Sequence, residues 1–211
     1  MPAEGAECVL ESGQQAILEL CLEGRNVFFS GMGGTGKSFL LRRIVETMRS
    51  PPANKSVAVT APTGVAALIC GGQTLHSFAG CGVPSTVADF GRCWSADKAE
   101  CWRGLDVLIV DEVSMIEASF LDWLDATVRC IRGDESRPFG GIQLIFCGDF
   151  HQLHGFATQS GASIEREPPS TPPCRWSCAT AQGGGCSEKC EEYKADCRLP
   201  VSFKELQGLV S

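Results

Sequence analysis

Eight residues, Gly31-Met32-Gly33-Gly34-Thr35-Gly36-Lys37-Ser38, constrain this chain more than any other stretch. They fit the pattern G-x-x-x-x-G-K-[ST], whose glycines let successive backbone N–H groups turn inward around the phosphates of a nucleotide. The flanks supply the context that the pattern requires. An apolar β-type run, Asn26-Val27-Phe28-Phe29-Ser30, precedes it, and Phe39, Leu40, Leu41, Ile44, Val45 and Met48 follow at helical spacing. Strand, loop and helix together place an anion at a helix N-terminus, where unpaired N–H groups and the helix dipole favour negative charge. Lys37 is expected to reach the β/γ-phosphates of ATP, and the Ser38 hydroxyl to hold Mg²⁺.

Elsewhere apolar runs alternate with helical patterns, which predicts βαβ units around a parallel sheet, an α/β fold. The strand candidates are Val27–Ser30, Val57–Thr60, Val107–Val110 and Ile142–Cys147. Each is almost continuously apolar, as a strand covered on both faces must be. The helix after the glycine-rich loop is predicted over Ser38–Met48, ahead of Pro51-Pro52, which cannot continue it. After the third strand, Ser114-Met115-Ile116-Glu117 reads as a capping box, with Ile116, Phe120, Leu121, Leu124, Val128 and Ile131 on one face and Gly133 closing the helix.

Beyond about residue 155, Pro168-Pro169, Pro172-Pro173 and Gly183-Gly184-Gly185 break any periodicity. The predicted organisation is a domain over 8–157 and a low-complexity, Cys-rich tail over 158–211, with helical spacing returning at Phe203–Leu209. Five of the 13 cysteines lie in that tail, Cys174, Cys178, Cys186, Cys190 and Cys197. Their spacing is C-x₃-C-x₇-C-x₃-C-x₆-C, and zinc sites usually separate such pairs by longer gaps, so compositional bias is the first reading and a zinc-dependent element the second. Cys21, Cys70, Cys130 and Cys147 fall in apolar segments and are expected to be buried free thiols. The formal net charge of −7 argues against a strong, non-specific grip on a polyanion. No apolar run approaches the ~18 residues of a membrane span, and the early Glu4, Glu7 and Glu11 do not resemble a targeting segment, so no membrane partner is expected.

The run Val107-Leu108-Ile109-Val110 ends in Asp111-Glu112. In phosphate-loop enzymes the first carboxylate at such a strand end helps hold Mg²⁺, and its neighbour can orient or deprotonate the attacking water. Both can reach the crevice beyond the carboxyl ends of the strands, where open α/β sheets bind ligands. Gly148-Asp149-Phe150-His151-Gln152 follows the fourth strand and offers a further polar contact at the same edge.

In order along the chain, Gln14-Gln15, Gly31–Ser38, Thr60-Ala61-Pro62-Thr63-Gly64-Val65-Ala66-Ala67, Thr74-Leu75-His76-Ser77-Phe78, Asp111–Met115, and Pro138–Gln143 leading into Gly148–Leu153 resemble the PIF-type DNA helicases. These are relatives of RecD in superfamily 1 that move 5′ to 3′ on single-stranded DNA. The resemblance covers roughly residues 10–153 and implies a RecA-like first motor domain with ATP and Mg²⁺ as cofactors. It implies Gln14 as the adenine reader, Gly31, Gly33, Gly34, Thr35, Gly36, Lys37 and Ser38 as the phosphate cradle, and Ser38 and Asp111 as Mg²⁺ ligands. Lys37, Asp111, Glu112 and Gln152 would be catalytic, Gln152 sensing the γ-phosphate. Pro62, Thr63, His76 and Phe78 would line the path of single-stranded DNA.

Two departures stand out. Leu153 is followed by His154-Gly155-Phe156 rather than a Pro-Pro-Val type segment, and the second motor domain that such helicases use to supply arginines to ATP has no clear counterpart. The resemblance implies an intracellular protein of the nucleus or mitochondrion, acting in DNA repair, recombination and telomere maintenance. On this reading the chain alone binds ATP and turns it over slowly, needing a second RecA-like domain or partner. The alternative is a nucleotide-dependent binding or regulatory module of the same ancestry without unwinding activity.

Overall fold

The computed structural model describes residues 10–149. Gln152 and the whole Cys-rich tail, for which the sequence raises expectations, lie outside the described residues. Five strands, β1 (Val27–Ser30), β2 (Val57–Ala61), β3 (Gln73–Thr74), β4 (Val107–Val110) and β5 (Gln143–Gly148), form one sheet in the order β1-β5-β4-β2-β3. Every pairing is parallel, so all carboxyl ends share one edge. The helices are α1 (Ser12–Leu22), α2 (Lys37–Arg49), α3 (Gly64–Cys70), α4 (Leu75–Ala79), α5 (Ala96–Arg103) and α6 (Ala118–Arg132). Among the described residues no helix is long and apolar enough to cross a membrane.

The continuous apolar runs are explained by two cores, one on each face of the sheet. Val107 and Ile109 of β4 and Ile145 and Cys147 of β5 point to a cluster with Leu40, Leu41 and Ile44 of α2 and Leu18 of α1. Leu108, Val110, Leu144 and Phe146 point the other way, against Trp102 of α5 and Phe120, Leu121 and Leu124 of α6. Period-two alternation therefore serves both faces, and neither can be polar. Each fully buried large side chain in these clusters contributes about 1.5–3 kcal/mol.

Polar side chains pin the amino ends of the strands. The Asp106 carboxylate accepts the Ser56 N–H at 2.8 Å, fixing where β2 meets β4. Buried Gln143 donates through Nε2 to the carbonyls of Cys21 and Arg25 at 2.7 and 2.8 Å and accepts from Lys55 Nζ at 3.0 Å. It thereby ties the end of α1 to β5.

The four expected strands form, and β3 is an additional two-residue edge. The expected capping box at Ser114 does not form. Glu112 takes a left-handed conformation (φ 50°, ψ 40°) and starts a tight 3-10 turn over Val113–Met115, so Ser114 lies inside that turn. Glu117, in extended conformation, is the residue before α6. Ile116 stays buried outside the helix, because the turn packs against Gly148, where an added Cβ would lie 3.3 Å from Ser114 N. Of the four cysteines expected in the core, Cys21, Cys70 and Cys147 are buried, whereas Cys130 is half-buried near the end of α6. The seven cysteines among the described residues are free thiols.

Candidate active site

The loop between β1 and α2 depends on two left-handed glycines, Gly34 (φ 83°) and Gly36 (φ 80°), the latter capping α2. Any side chain at 36 would be strained, and its Cβ would lie 2.8 Å from Nε2 of Gln14. At Gly31 a Cβ would meet Thr35 Oγ1 at 2.7 Å, whereas Gly33 has nothing within 4 Å. The Thr35 hydroxyl donates to the Met32 carbonyl at 2.8 Å and draws the loop into a closed turn. Lys37 Nζ donates to the carbonyls of Gly31 and Met32, the second at 3.1 Å. These neutral acceptors are weaker partners for an ammonium than a phosphate oxygen, so an anion entering the loop outcompetes them. The first N–H groups of α2 have no carbonyl one turn earlier to accept them and are available to the same anion.

Gln14 joins this loop from α1. Its Oε1 accepts the Glu11 N–H at 3.2 Å, half of a capping box, while Nε2 reaches the Thr35 carbonyl at 3.4 Å. The same amide thus starts a helix and touches the phosphate loop.

The second half of the site stands at the carboxyl end of β4. Asp111 is 8% exposed; its N–H donates to the Thr60 carbonyl at 2.8 Å, and its Oδ1 accepts the Glu112 N–H at 3.0 Å. The thiol of Cys147, on neighbouring β5, also donates to Asp111, and burial followed by that carboxylate's charge pushes the thiol well up and keeps it protonated. Cys147 carries no signal in the sequence beyond an apolar position, since only the adjacency of β5 and β4 brings it to Asp111.

Half-buried Glu112 has its carboxyl pushed above the usual carboxylate range by burial first, then by the negative charge of Asp111, with Asp149 adding to it and Lys37 opposing. The fold therefore brings the loop lysine, the strand-end Asp-Glu pair and Asp149 into one electrostatic neighbourhood. A carboxyl raised toward neutrality is suited to accept a proton. Ser38 and Asp111 supply hydroxyl and carboxylate oxygens, the hard donors that Mg²⁺ takes. The residues present fit such an ion.

The residues expected on the DNA side divide. Pro62 is half-buried and Thr63 exposed. The Thr63 hydroxyl accepts the Ala66 N–H at 3.2 Å and caps α3, just as Thr74 accepts the Ser77 N–H at 3.2 Å and caps α4. The half-buried ring of His76 stacks on Phe120 with centroids 4.3 Å apart, and burial lowers its pKa. Phe78 corrects the expectation. It is 5% exposed and meets Trp102 edge-on at 4.8 Å, so its ring has no face left for a base. Lys98 of α5, which has no motif to announce it, donates to the carbonyls of Ser77 and Phe78 at 2.9 and 3.1 Å and holds the end of α4.

The model of the PIF1-like helicase family matches residues 9–165. The chain belongs to the PIF1-like helicase family. Among PIF1 relatives, the ATP-dependent DNA helicase PIF1 of Xenopus laevis is 50% identical over 148 residues, covering 68% of this chain and 22% of that protein. The human ATP-dependent DNA helicase PIF1 is 45% identical over 148 residues, with the same coverage. Among solved structures, the Pif1 helicase of Candida albicans superposes with a TM-score of 0.64 at 43% identity, covering 69% of this chain and 33% of that one. The Bacteroides Pif1 helicase in complex with ADP-AlF3 and ssDNA superposes with a TM-score of 0.61 at 33% identity, covering 72% and 35%. The chain thus spans about a fifth of the length of its curated PIF1 relatives, and the parallel sheet with its flanking helices is their RecA-like domain.

Proposed function

We propose that this chain is the nucleotide-binding half of an ATP-driven motor on single-stranded DNA. One observation carries the reading: the phosphate loop with Lys37 leaves β1 and the Asp111-Glu112 pair leaves β4 at the same carboxyl edge of the parallel sheet, so the two halves of the site face one crevice. A phosphate loop alone binds an anion; a loop facing a raised carboxyl can also split one.

In this reading the loop N–H groups and Lys37 bind the phosphates of ATP, and Gln14, already against the loop, lies beside the base. Mg²⁺ supplies charge neutralisation across the phosphate oxygens when it is bound by Ser38 and Asp111. Cys147 and the Glu112 N–H hold the Asp111 carboxylate in place. Glu112 orients the attacking water and takes its proton, for which its raised pKa suits it. Gln152, four residues beyond Gly148, senses the γ-phosphate. Thr63 and His76 sit at the ends of α3 and α4, on the side where DNA passes, and Thr63 offers its hydroxyl and N–H to a phosphate. The motor domain runs over 8–157. Movement on DNA needs a second RecA-like domain, which also brings arginines to the ATP, and family membership supports genome maintenance in the nucleus or mitochondrion as the setting.

The test is ATP turnover with Mg²⁺, with and without single-stranded DNA, using Lys37→Ala as the blank. Slow turnover that DNA raises and Lys37→Ala abolishes is expected. Turnover indifferent to both would remove the motor reading and leave a regulatory nucleotide-binding module.

A further inference from the structure

Helix α4 is too short to hold its own place. It has five residues, and the strand it leaves, β3, pairs with β2 at two positions, Thr60 with Gln73 and Ala61 with Thr74. A helix of this length gains little from its own hydrogen bonds and takes its position from what it packs on. At its amino end the anchor is local, the Thr74 hydroxyl accepting the Ser77 N–H. At its carboxyl end the anchor comes from another helix. Lys98 Nζ reaches across from α5 to the carbonyls of Ser77 and Phe78, at 2.9 and 3.1 Å.

This lysine is more than an ordinary helix cap. Lys98 and Trp102 stand four residues apart on α5 and so share one face of it. Trp102 meets the ring of Phe78 edge-on while Lys98 takes its carbonyl, so α5 grips one residue by side chain and by backbone. Gly80, in the left-handed conformation (φ 85°), leaves room for the lysine stem: a Cβ there would lie 2.9 Å from Lys98 Cγ and 3.2 Å from Cδ and Cε. The bond to Ser77 is exposed to solvent, where water satisfies a carbonyl equally well. What the ammonium adds is therefore a tie between two helices, made stronger by its charge.

Given the reading that DNA passes beside α4, on which this rests, we propose that Lys98 is a positioning residue for DNA. By tying the carboxyl end of α4 to α5 it sets where His76 stands, and so the affinity for a single strand. His76 lies one turn before Gly80, whose N–H donates to the His76 carbonyl at 3.1 Å, and its ring stacks on Phe120 of α6. Released from Lys98, the last turn of α4 can swing, and the imidazole loses its fixed place against Phe120. Lys98 itself touches no phosphate in this scheme, because two of its three protons are already directed at α4.

The full chain carrying Lys98→Met tests this, since methionine keeps most of the stem beside Gly80 but loses the charge and the donors. Hydrogen exchange at the end of α4 should speed up about tenfold, with β4 and β5 unchanged. Fluorescence anisotropy with a labelled strand of repeated thymidines should show affinity about fivefold weaker, with the slope of log Kd against log salt unchanged. Lys98→Arg, whose guanidinium offers donors to both carbonyls, should bring the affinity back to within about twofold of wild type. A slope lowered by about 0.7 in Lys98→Met would overturn the proposal, by showing that the lysine neutralises a DNA phosphate directly. Unchanged exchange in α4 would overturn it too. A wild type that binds no single strand would remove the motor reading and the proposal with it, whereas wild-type binding that Lys98→Met leaves unchanged would remove the proposal alone.

Discussion

Truncating Phe78 separates packing from DNA contact. The ring is 5% exposed and lies edge-on to Trp102, itself fully buried, at a centroid distance of 4.8 Å. Phe78→Ala removes the whole ring and opens a cavity against an indole that has no room to follow. Core Phe→Ala changes cost about 3–5 kcal/mol, and full burial with the lost edge-to-face pair places this one at no less than the middle of that range, roughly 4 kcal/mol. For a domain of this size that corresponds to a fall in melting temperature of about 10 °C. Phe78→Leu keeps most of the volume and should cost less than half as much. Urea titration of the full chain, followed by tryptophan fluorescence and so read partly through Trp102 itself, gives the stability. Fluorescence anisotropy with a labelled single strand gives the affinity. The Leu variant is expected to bind DNA within about twofold of wild type. An Ala variant that loses less than about 1 kcal/mol of stability yet no longer binds DNA would refute the core assignment.

Gly36→Ala forces a side chain into the left-handed region and toward Gln14, costing about 1–3 kcal/mol of stability and at least tenfold in nucleotide affinity, whereas Gly33→Ala, with open space around it, should leave the fold unchanged. Calorimetric titration and melting of the two variants give the comparison. Because the Glu112 carboxyl is raised in the folded chain, the native state holds a proton that the unfolded chain releases, and stability falls as pH rises from the ordinary carboxylate range to the raised value. Glu112→Gln removes that loss: its melting temperature should exceed the wild type's at pH 7, the gain should vanish below about pH 4, and turnover should stop while ATP still binds. A gain of equal size at both pH values would contradict the assignment. Cys147→Ala removes a donor from buried Asp111 and should weaken Mg²⁺-dependent nucleotide binding, which Cys147→Ser, keeping a hydroxyl donor, should restore; identical titration curves for the two variants would mean that the thiol only fills space.

The parts of the site written in consecutive residues are legible in the sequence itself. Gly31–Ser38 needs no distant partner to declare its geometry, because its glycines set their own backbone angles. Val107–Val110 followed by Asp111-Glu112 declares itself in the same way, since a strand buried on both faces must be apolar to its end. The remaining features are set by contacts between residues far apart in the chain. Ser114 and Glu117 have the spacing of a cap, but the left-handed turn at Glu112 and the closeness of Gly148 place Ser114 elsewhere. Phe78 lies in a block that looks functional as a string, and only Trp102, more than twenty residues on in α5, shows it to be packed inward. Lys98 and Cys147 act through a neighbouring helix end and a neighbouring strand, which no local pattern records.

The central claim is that the loop around Lys37 is built to hold a nucleotide. Equilibrium titration of the full chain with ATP and Mg²⁺, for wild type and Lys37→Ala, tests it most directly. Saturable binding by the wild type, weakened at least 100-fold in Lys37→Ala with an unchanged melting temperature, is the expected result. Equal affinity in the two proteins would mean that this loop does not carry the phosphates.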